Sequence, residues 1–326
     1  MDVSVQFLGG AGTVTGSKYL LEIDNCKILI DCGLFQGLKK LRLRNWDTLP
    51  IPADEIDFLV LTHAHLDHSG YLPRLYAQGY QGKTHCTEAT ADLLEILLLD
   101  SAKLQMEEAD FAAKKGYSKH DKPKPLYDTD DVERVLPQLV THPFNQWYEL
   151  NERIRIRHHY AGHILGASGV EVELKGDNQT KTDVKGVEKD SENTAIVPIK
   201  TMGVVERVLH DPDEAVRVKF SENQVLIRTG QAEISSTLMQ GRFPKYADVI
   251  FVESTYGDRE NTNPDILDEF AQVINETISR GGTLMIPAFS VGRTQNILLY
   301  LKTLWDQTKI PHVPVFMDSP MAIAAT

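Results

Sequence analysis

Apolar residues take every second position at the start of the chain (Val3, Val5, Phe7), the alternation of a half-buried strand. Gly9-Gly10-Ala11-Gly12 then turns the chain, and Lys18 to Ile23 and Lys27 to Asp31 read as two further strands of a meander. Ile56 to Leu61 is a short, continuous apolar run, the pattern of a strand buried on both faces. Helical spacing takes over from Glu88 to Lys115, where Leu93, Leu94, Leu97, Leu98, Leu104 and Met106 recur. Gly116 to Pro125 is a loop rich in Lys and Pro. Val132 to Leu139 predicts a second helix, Ile154 to His158 and Val170 to Leu174 two strands, and Gly176-Asp177-Asn178 a turn. From Thr180 to about Ser191 the chain is polar and aperiodic, and a different texture follows up to Tyr246. Strand and helix patterns then alternate again: Asp248 to Glu253, Ile266 to Ser279, Thr283 to Ala288, Arg293 to Trp305 and Val313 to Met317. Such alternation predicts an α/β protein. There is no internal repeat.

Composition narrows the reading. The 326 residues are 42% hydrophobic and 25% charged, enough for roughly two domains with real cores. No apolar run approaches the roughly 20 residues needed to span a bilayer, so no membrane partner is expected. The opening residues, Met1 to Phe7, have no basic region and no cleavage site, and so predict a cytoplasmic protein without a signal peptide. Cys26, Cys32 and Cys86 are too few and too scattered for a disulfide framework or a Cys-rich zinc site. The net charge of −12 argues against non-specific coating of nucleic acid. It leaves a nuclease open, because only the groove must be basic and a bound metal adds local positive charge.

The chemistry lies in Leu61-Thr62-His63-Ala64-His65-Leu66-Asp67-His68-Ser69-Gly70. Three histidines and an aspartate fall within six residues, directly after a buried strand. His63 and His65 are two apart, so an extended backbone points both to one side. Asp67 and His68 follow on the turn into the next helix. Neutral imidazole is a good zinc ligand, and a carboxylate can hold a second ion. A surface histidine cluster without metal would not need this spacing.

This segment resembles the signature of the metallo-β-lactamase superfamily. Leu29-Ile30-Asp31-Cys32-Gly33 is similar to that family's earlier motif, and Ala161-Gly162-His163-Ile164-Leu165-Gly166 to its third. The resemblance implies metal ligands at His63, His65, Asp67, His68 and His163, with Asp31 orienting the ligand loop from behind. It implies two zinc ions and a fold of two sheets between helix layers, the αββα sandwich, incomplete in this chain. Asp67 would also help orient the attacking water. Gly12-Thr13-Val14-Thr15-Gly16-Ser17, Gly33-Leu34-Phe35-Gln36-Gly37, Phe251 to Arg259 and Ile286 to Gln295 resemble the β-CASP branch, the bacterial relatives of the polyadenylation endonuclease. That branch implies hydrolysis of phosphodiesters in single-stranded RNA or DNA. It makes Glu253 a catalytic acidic residue and leaves a homodimer open. Arg293, which opens a helix after a glycine, is a candidate phosphate contact.

Two features depart from that pattern. The family's bridging aspartate, at a strand end after the His163 motif, has no counterpart in the right context; Gly176-Asp177 comes too early, and Asp183 does not end a buried strand. Two late family histidines would lie beyond Thr326. In their place, residues from about Asp183 to Tyr246 resemble a bacterial DNA polymerase sliding clamp. The likeness lies in Ala195 to Lys200, Val216 to Phe220, Glu222 to Gly230 and above all Gly241-Arg242-Phe243-Pro244-Lys245-Tyr246. The expected organisation is thus a core at 1–180, a clamp-like α+β insert at 181–247, a core strand at 248–258 and the start of a β-CASP domain at 259–326. The insert should form its own strand–helix–strand–strand unit, as in a chimera. The rival functions are a clamp-related protein without catalysis and a small-molecule hydrolase of the same superfamily. Two basic clusters, Lys39, Lys40, Arg42 and Arg44, and Lys114, Lys115, Lys119, Lys122 and Lys124, suit either a phosphate backbone or plain solvation.

Overall fold

The computed structural model describes residues 3–116, 123–174, 217–220, 227–229 and 265–326. The strand expected at Asp248 to Glu253, with Glu253 itself, lies outside them. So do Asp177, Asp183, Lys119, Lys122 and the clamp-like segment apart from residues 217–220 and 227–229.

Two sheets face each other. The larger contains β1 (Val3–Gly9), β2 (Lys18–Ile23), β3 (Cys26–Ile30), β4 (Phe58–Val60), β5 (Thr84–Thr87) and β6 (Leu139–His142), paired in that order. The smaller contains β7 (Trp147–Glu149), β8 (Ile154–Tyr160) and β9 (Ser168–Leu174). From β1 to β3 the pairing is antiparallel and from β3 to β6 parallel. The parallel strands are linked by helices α1 (Lys39–Leu43), α2 (Leu66–Ser69), α3 (Leu72–Ala77), α4 (Glu88–Lys115) and α5 (Thr129–Val135). This is the mixed α/β architecture that the strand–helix alternation predicts.

Side-chain alternation builds the layers. On β2 and β3, Leu21, Ile28 and Ile30 face the smaller sheet and pack with Ile154, Ile156, Val170 and Val172. Their neighbours Leu20 and Leu29 point the other way, into a cluster with Leu72, Leu75, Leu94 and Leu97 from the helices. The same rule of period two therefore fills both cores.

Local chemistry sets the element ends. Thr87 caps α4, accepting from Thr90 N–H, and Gly116 ends it in the left-handed conformation. The helix expected at Val132 to Leu139 starts earlier and stops sooner. A capping box between Asp128 and Asp131 opens it at Thr129, and Leu136 to Gln138 tightens to a 3-10 turn at Pro137 before β6 begins.

The clamp-like segment contributes β10 (Arg217–Phe220), antiparallel to β1, and β11 (Ile227–Thr229), antiparallel to β9. These strands extend the two main sheets. The cause is edge chemistry: β1 and β9 present unpaired backbone groups, and any strand of suitable pattern can satisfy them. The strands expected at Thr283 to Ala288 and Val313 to Met317 are irregular, with Met285 85% and Phe316 89% exposed. A continuous apolar run becomes a buried strand only when neighbours pair with both its edges, and its own pattern cannot supply them. Around these runs, α6 (Ile266–Ser279) and α7 (Arg293–Asp306) pack through Ala271, Ile274, Leu301 and Leu304. The short α8 (Pro320–Ala324) follows, with Met321 against the main helical core. Among the described residues no helix is long and apolar enough to cross a membrane.

A histidine stack lies between the sheets. His85 Nδ1 and His142 Nε2 are 2.9 Å apart with rings nearly parallel, and the His158 ring continues the stack. Burial, reinforced by the neighbouring imidazoles, lowers His85 to about 4 and His158 to about 3, and burial also lowers His142. In the unfolded chain the same groups protonate near the ordinary value of about 6.5. Below that pH the unfolded state binds more protons, so their contribution is complete above about 6.5 and is lost as pH falls toward about 4. The urea midpoint should therefore drop between neutral and mildly acidic pH. A His85→Gln/His142→Gln variant should show a smaller drop, and an equal drop would refute this assignment.

Candidate metal centre

The site forms where β4 ends. Asp31 N–H donates to Val60 O at 2.9 Å, so the residue after β3 is locked beside the end of β4. Asp31 has φ of 60°, a strained conformation for a residue with a side chain. That turn aims its carboxylate, 1% exposed, into the ligand loop. Oδ1 accepts Thr62 N–H at 2.8 Å, and the Thr62 hydroxyl donates to the carboxylate at 2.9 Å. Oδ2 accepts from Ser17 Oγ at 3.2 Å and from His68 Nδ1 at 2.7 Å.

These bonds assign the tautomers. The one proton of the Thr62 hydroxyl goes to Asp31, so the 2.9 Å contact between Thr62 Oγ1 and His63 Nδ1 is donated by the imidazole. His63 Nε2 is then left with its lone pair. His68 likewise donates from Nδ1 to Asp31, and its Nε2 lies 3.8 Å from Asp67 Oδ2. Burial, then the charges of His68, His65 and His163, hold His63 well below the usual histidine range, so it is neutral.

The third histidine arrives on the loop between β8 and β9. Ala161 N–H donates to Ala167 O and Ala167 N–H to Ile164 O, both at 3.0 Å, closing that loop on itself. Gly166 O accepts from the hydroxyls of Thr87 and Thr90 at 2.7 and 3.0 Å, which seats the loop on the start of α4. Gly166 must be glycine: φ is 80°, and a Cβ would stand 2.4 Å from Thr90 N. Ser168 N–H then bonds Thr62 O at 2.8 Å, tying the loop to the histidine strand end.

His63 Nε2 lies 3.2 Å from His65 Nδ1, which lies 3.0 Å from His163 Nε2. The three ligand atoms all fall within 4.8 Å of one another. Ligand atoms about 2.0–2.1 Å from one tetrahedral ion stand about 3.3 Å apart, so this donor set fits a metal ion. The rings of His63 and His68 are 4.1 Å apart, which places His68 on the flank of the trio. His158 and His159 turn away, to Ser168 and Glu171. Arg293 is exposed at the first turn of α7, and the preceding Gly292 abuts Ile164, the neighbour of His163. Spacing alone does not single out Thr62 or Ser17. Nothing in a lone Thr before a His-x-His pair marks the hydroxyl as the link between ligand and carboxylate.

Comparison with known proteins agrees with this geometry. Residues 20–178 match the metallo-beta-lactamase superfamily domain, and residues 178–245 the central domain of the DNA polymerase III beta subunit. Ribonuclease TTHA0252 of Thermus thermophilus is 31% identical over 96% of this chain and 58% of its own length. Transcription termination factor FttA of Methanosarcina mazei is 30% identical over 97% of this chain and 42% of its own. Cleavage and polyadenylation specificity factor 73 of Drosophila melanogaster is 27% identical over 98% of this chain and 39% of its own. The chain thus spans between about two fifths and three fifths of these relatives. The fold and the histidine trio together imply a metal ion. Residues 20–178 are a metallo-β-lactamase superfamily domain, in a chain whose relatives are members of the β-CASP branch.

Proposed function

We propose that this chain is a zinc-dependent phosphodiesterase of the RNA-processing lineage, with single-stranded RNA as its substrate class. The convergence of His63 Nε2, His65 Nδ1 and His163 Nε2 carries this reading. The Thermus relative's name, a ribonuclease, supports the choice of RNA. Three neutral imidazoles and no protein anion would form the first zinc site, leaving its charge available to a phosphate. Asp67 and His68 would hold a second ion, with Asp31 fixing the His68 tautomer. Zinc so held supplies Lewis acidity at a phosphoryl oxygen and water acidified toward neutral pKa. Thr62 would keep His63 in its ligand tautomer, and Asp67 would orient the attacking water. Glu253 is proposed as a further catalytic acid–base group and Arg293 as a phosphate contact. The residue ranges proposed above for core, insert and β-CASP start go with this reading.

A bridging carboxylate has no counterpart in the sequence context where it belongs, so the second ion should bind weakly. Two-metal chemistry depends on ions held about 3.5–4 Å apart, and a lone first site loses much of that clamp. Purified protein should therefore hold close to one zinc per chain and cleave single-stranded RNA slowly, with the cleavage abolished by chelator. Metal analysis beside an RNA cleavage assay checks this. Two tightly held ions with ordinary turnover would reveal a replacement ligand, and absence of bound zinc would end the proposal.

A second test addresses the orienting hydroxyl. Thr62→Val keeps shape but removes the bond that fixes His63 Nδ1 as donor. Zinc affinity should fall about 10–100-fold, the usual loss when a partner behind a ligand is removed. A competitive chelator titration with a far-ultraviolet circular dichroism control measures it. Unchanged affinity in a folded variant would remove Thr62 from the site.

A further inference from the structure

The loop that leaves the ligand cradle has a charge out of keeping with the rest of the chain. The protein carries 46 acidic against 34 basic residues, yet residues 32–46 contain no carboxylate and four cations: Lys39, Lys40, Arg42 and Arg44. The glycine-rich turn at residues 9–17 beside it is also free of carboxylates. Among the described residues, no carboxylate pairs with any of these four cations.

The loop is anchored at both ends. At its root, Cys32 N–H donates to His68 O at 2.7 Å and Leu34 N–H to Leu66 O at 2.8 Å. Gly33 sits so close to the ligand loop that a Cβ would overlap Asp67 O. At its far end buried Asn45 grips Phe35: Oδ1 accepts Phe35 N–H at 2.9 Å and Nδ2 donates to Phe35 O at 2.8 Å. The Arg44 guanidinium covers the Phe35 ring at 4.4 Å. Gln36 N–H reaches Thr15 Oγ1 at 3.2 Å. Between the anchors, Lys39, Lys40 and Arg42 are exposed, and Trp46 is left 49% exposed beside them.

Solvation alone explains exposed lysines. It does not explain an uncompensated cluster in an acidic chain, interleaved with an open indole and rooted in the backbone of the metal-ligand loop. We propose that residues 36–46 form a docking platform for single-stranded RNA, which leads the strand to the metal centre. Lys39, Lys40 and Arg42 contact successive phosphates, and Trp46 stacks a base. An acidic protein surface would satisfy the cations but has no use for a loop whose root is bonded to the metal-ligand loop. The proposal rests on the nuclease reading of that site, and the test separates the two.

The full chain is titrated into fluorescein-labelled oligouridylate in the presence of chelator, with anisotropy as the readout. Replacing Lys39, Lys40 and Arg42 together by Ala should weaken binding by about tenfold or more at low salt. It should also flatten the slope of log affinity against log salt by about 2, since each phosphate that the protein neutralises on a single strand adds about 0.7 to that slope. Trp46→Ala should weaken binding about fivefold or more with the slope kept. Thermal midpoints confirm that each variant is folded, and a Lys39→Arg/Lys40→Arg variant should bind like the parent. Failure of the parent chain to bind, an unaltered triple variant, or equal competition by polyglutamate would overturn the platform. Chelator-sensitive hydrolysis of bis(4-nitrophenyl) phosphate, too small to reach the loop, tests the nuclease reading on its own. Its presence with an unaltered triple variant sinks only the platform, and its absence with loop-dependent RNA binding sinks only the nuclease.

Discussion

The buried carboxylate of Asp31 is the constraint on which the candidate site depends. Four donors meet it: Thr62 N–H, the Thr62 hydroxyl, the Ser17 hydroxyl and His68 Nδ1. They come from the strand end after β4, the turn before β2 and the short helix α2. A buried anion must be satisfied from several sides or it neutralises, and a full set of donors is strongly specifying. Each donor brings with it a piece of chain that would otherwise be a surface loop. The left-handed backbone at Asp31 is the local strain that accompanies this arrangement. Removing the carboxylate would leave His68 free to choose either tautomer and Thr62 free to turn its proton toward His63.

The protein holds two histidine clusters, and geometry gives them different chemistry. In the stack of His85, His142 and His158 the rings lie nearly parallel, and the close nitrogen pair, His85 and His142, shares one proton. Ser168 takes up His158 Nδ1. That arrangement pairs His85 Nδ1, His142 Nε2 and His158 Nδ1 within an apolar layer, while His158 Nε2 meets no hydrogen-bond partner among the described residues. In the trio of His63, His65 and His163 the rings meet edge to face, so nitrogens of all three converge on one space. Edge-on convergence is what a metal needs, because each ion–nitrogen bond lies in the ring plane. The two clusters are joined through Ser168, whose hydroxyl meets His158 on one side and Thr62 O on the other.

Much of this was legible in the sequence where structure is local. The helices Glu88–Lys115 and Ile266–Ser279 fall where the apolar spacing puts them, and β1 and β2 follow their alternation. His63 and His65 were legible because two residues of extended chain suffice to aim them. β5 was not, because Thr84, His85 and Thr87 carry no apolar alternation. They are buried all the same, since Tyr76, His142 and Gly166 O meet their polar atoms from other elements. Thr62 and Ser17 escaped for the same reason: what makes them matter is a carboxylate distant in sequence. The failed strands at 283–288 and 313–317 are the converse case, a local pattern whose partners are not supplied locally.

The clamp-like segment shows how far sequence likeness and tertiary pairing can part. Residues 178–245 match a sliding-clamp domain, yet β10 and β11 from within them close the outer edges of β1 and β9. Both edges belong to sheets whose inner faces are already packed, so each needs only backbone pairing from its neighbour. Backbone pairing reads strand pattern and register, not ancestry. A segment shaped to pair within a clamp domain can therefore serve two edges of another fold. What it cannot supply by pattern alone is a carboxylate at the strand end beside the histidines, because that requires one particular side chain at one register position. Strand pattern can thus extend a sheet edge where it cannot complete a metal centre, and the three histidines that converge all lie within residues 20–178.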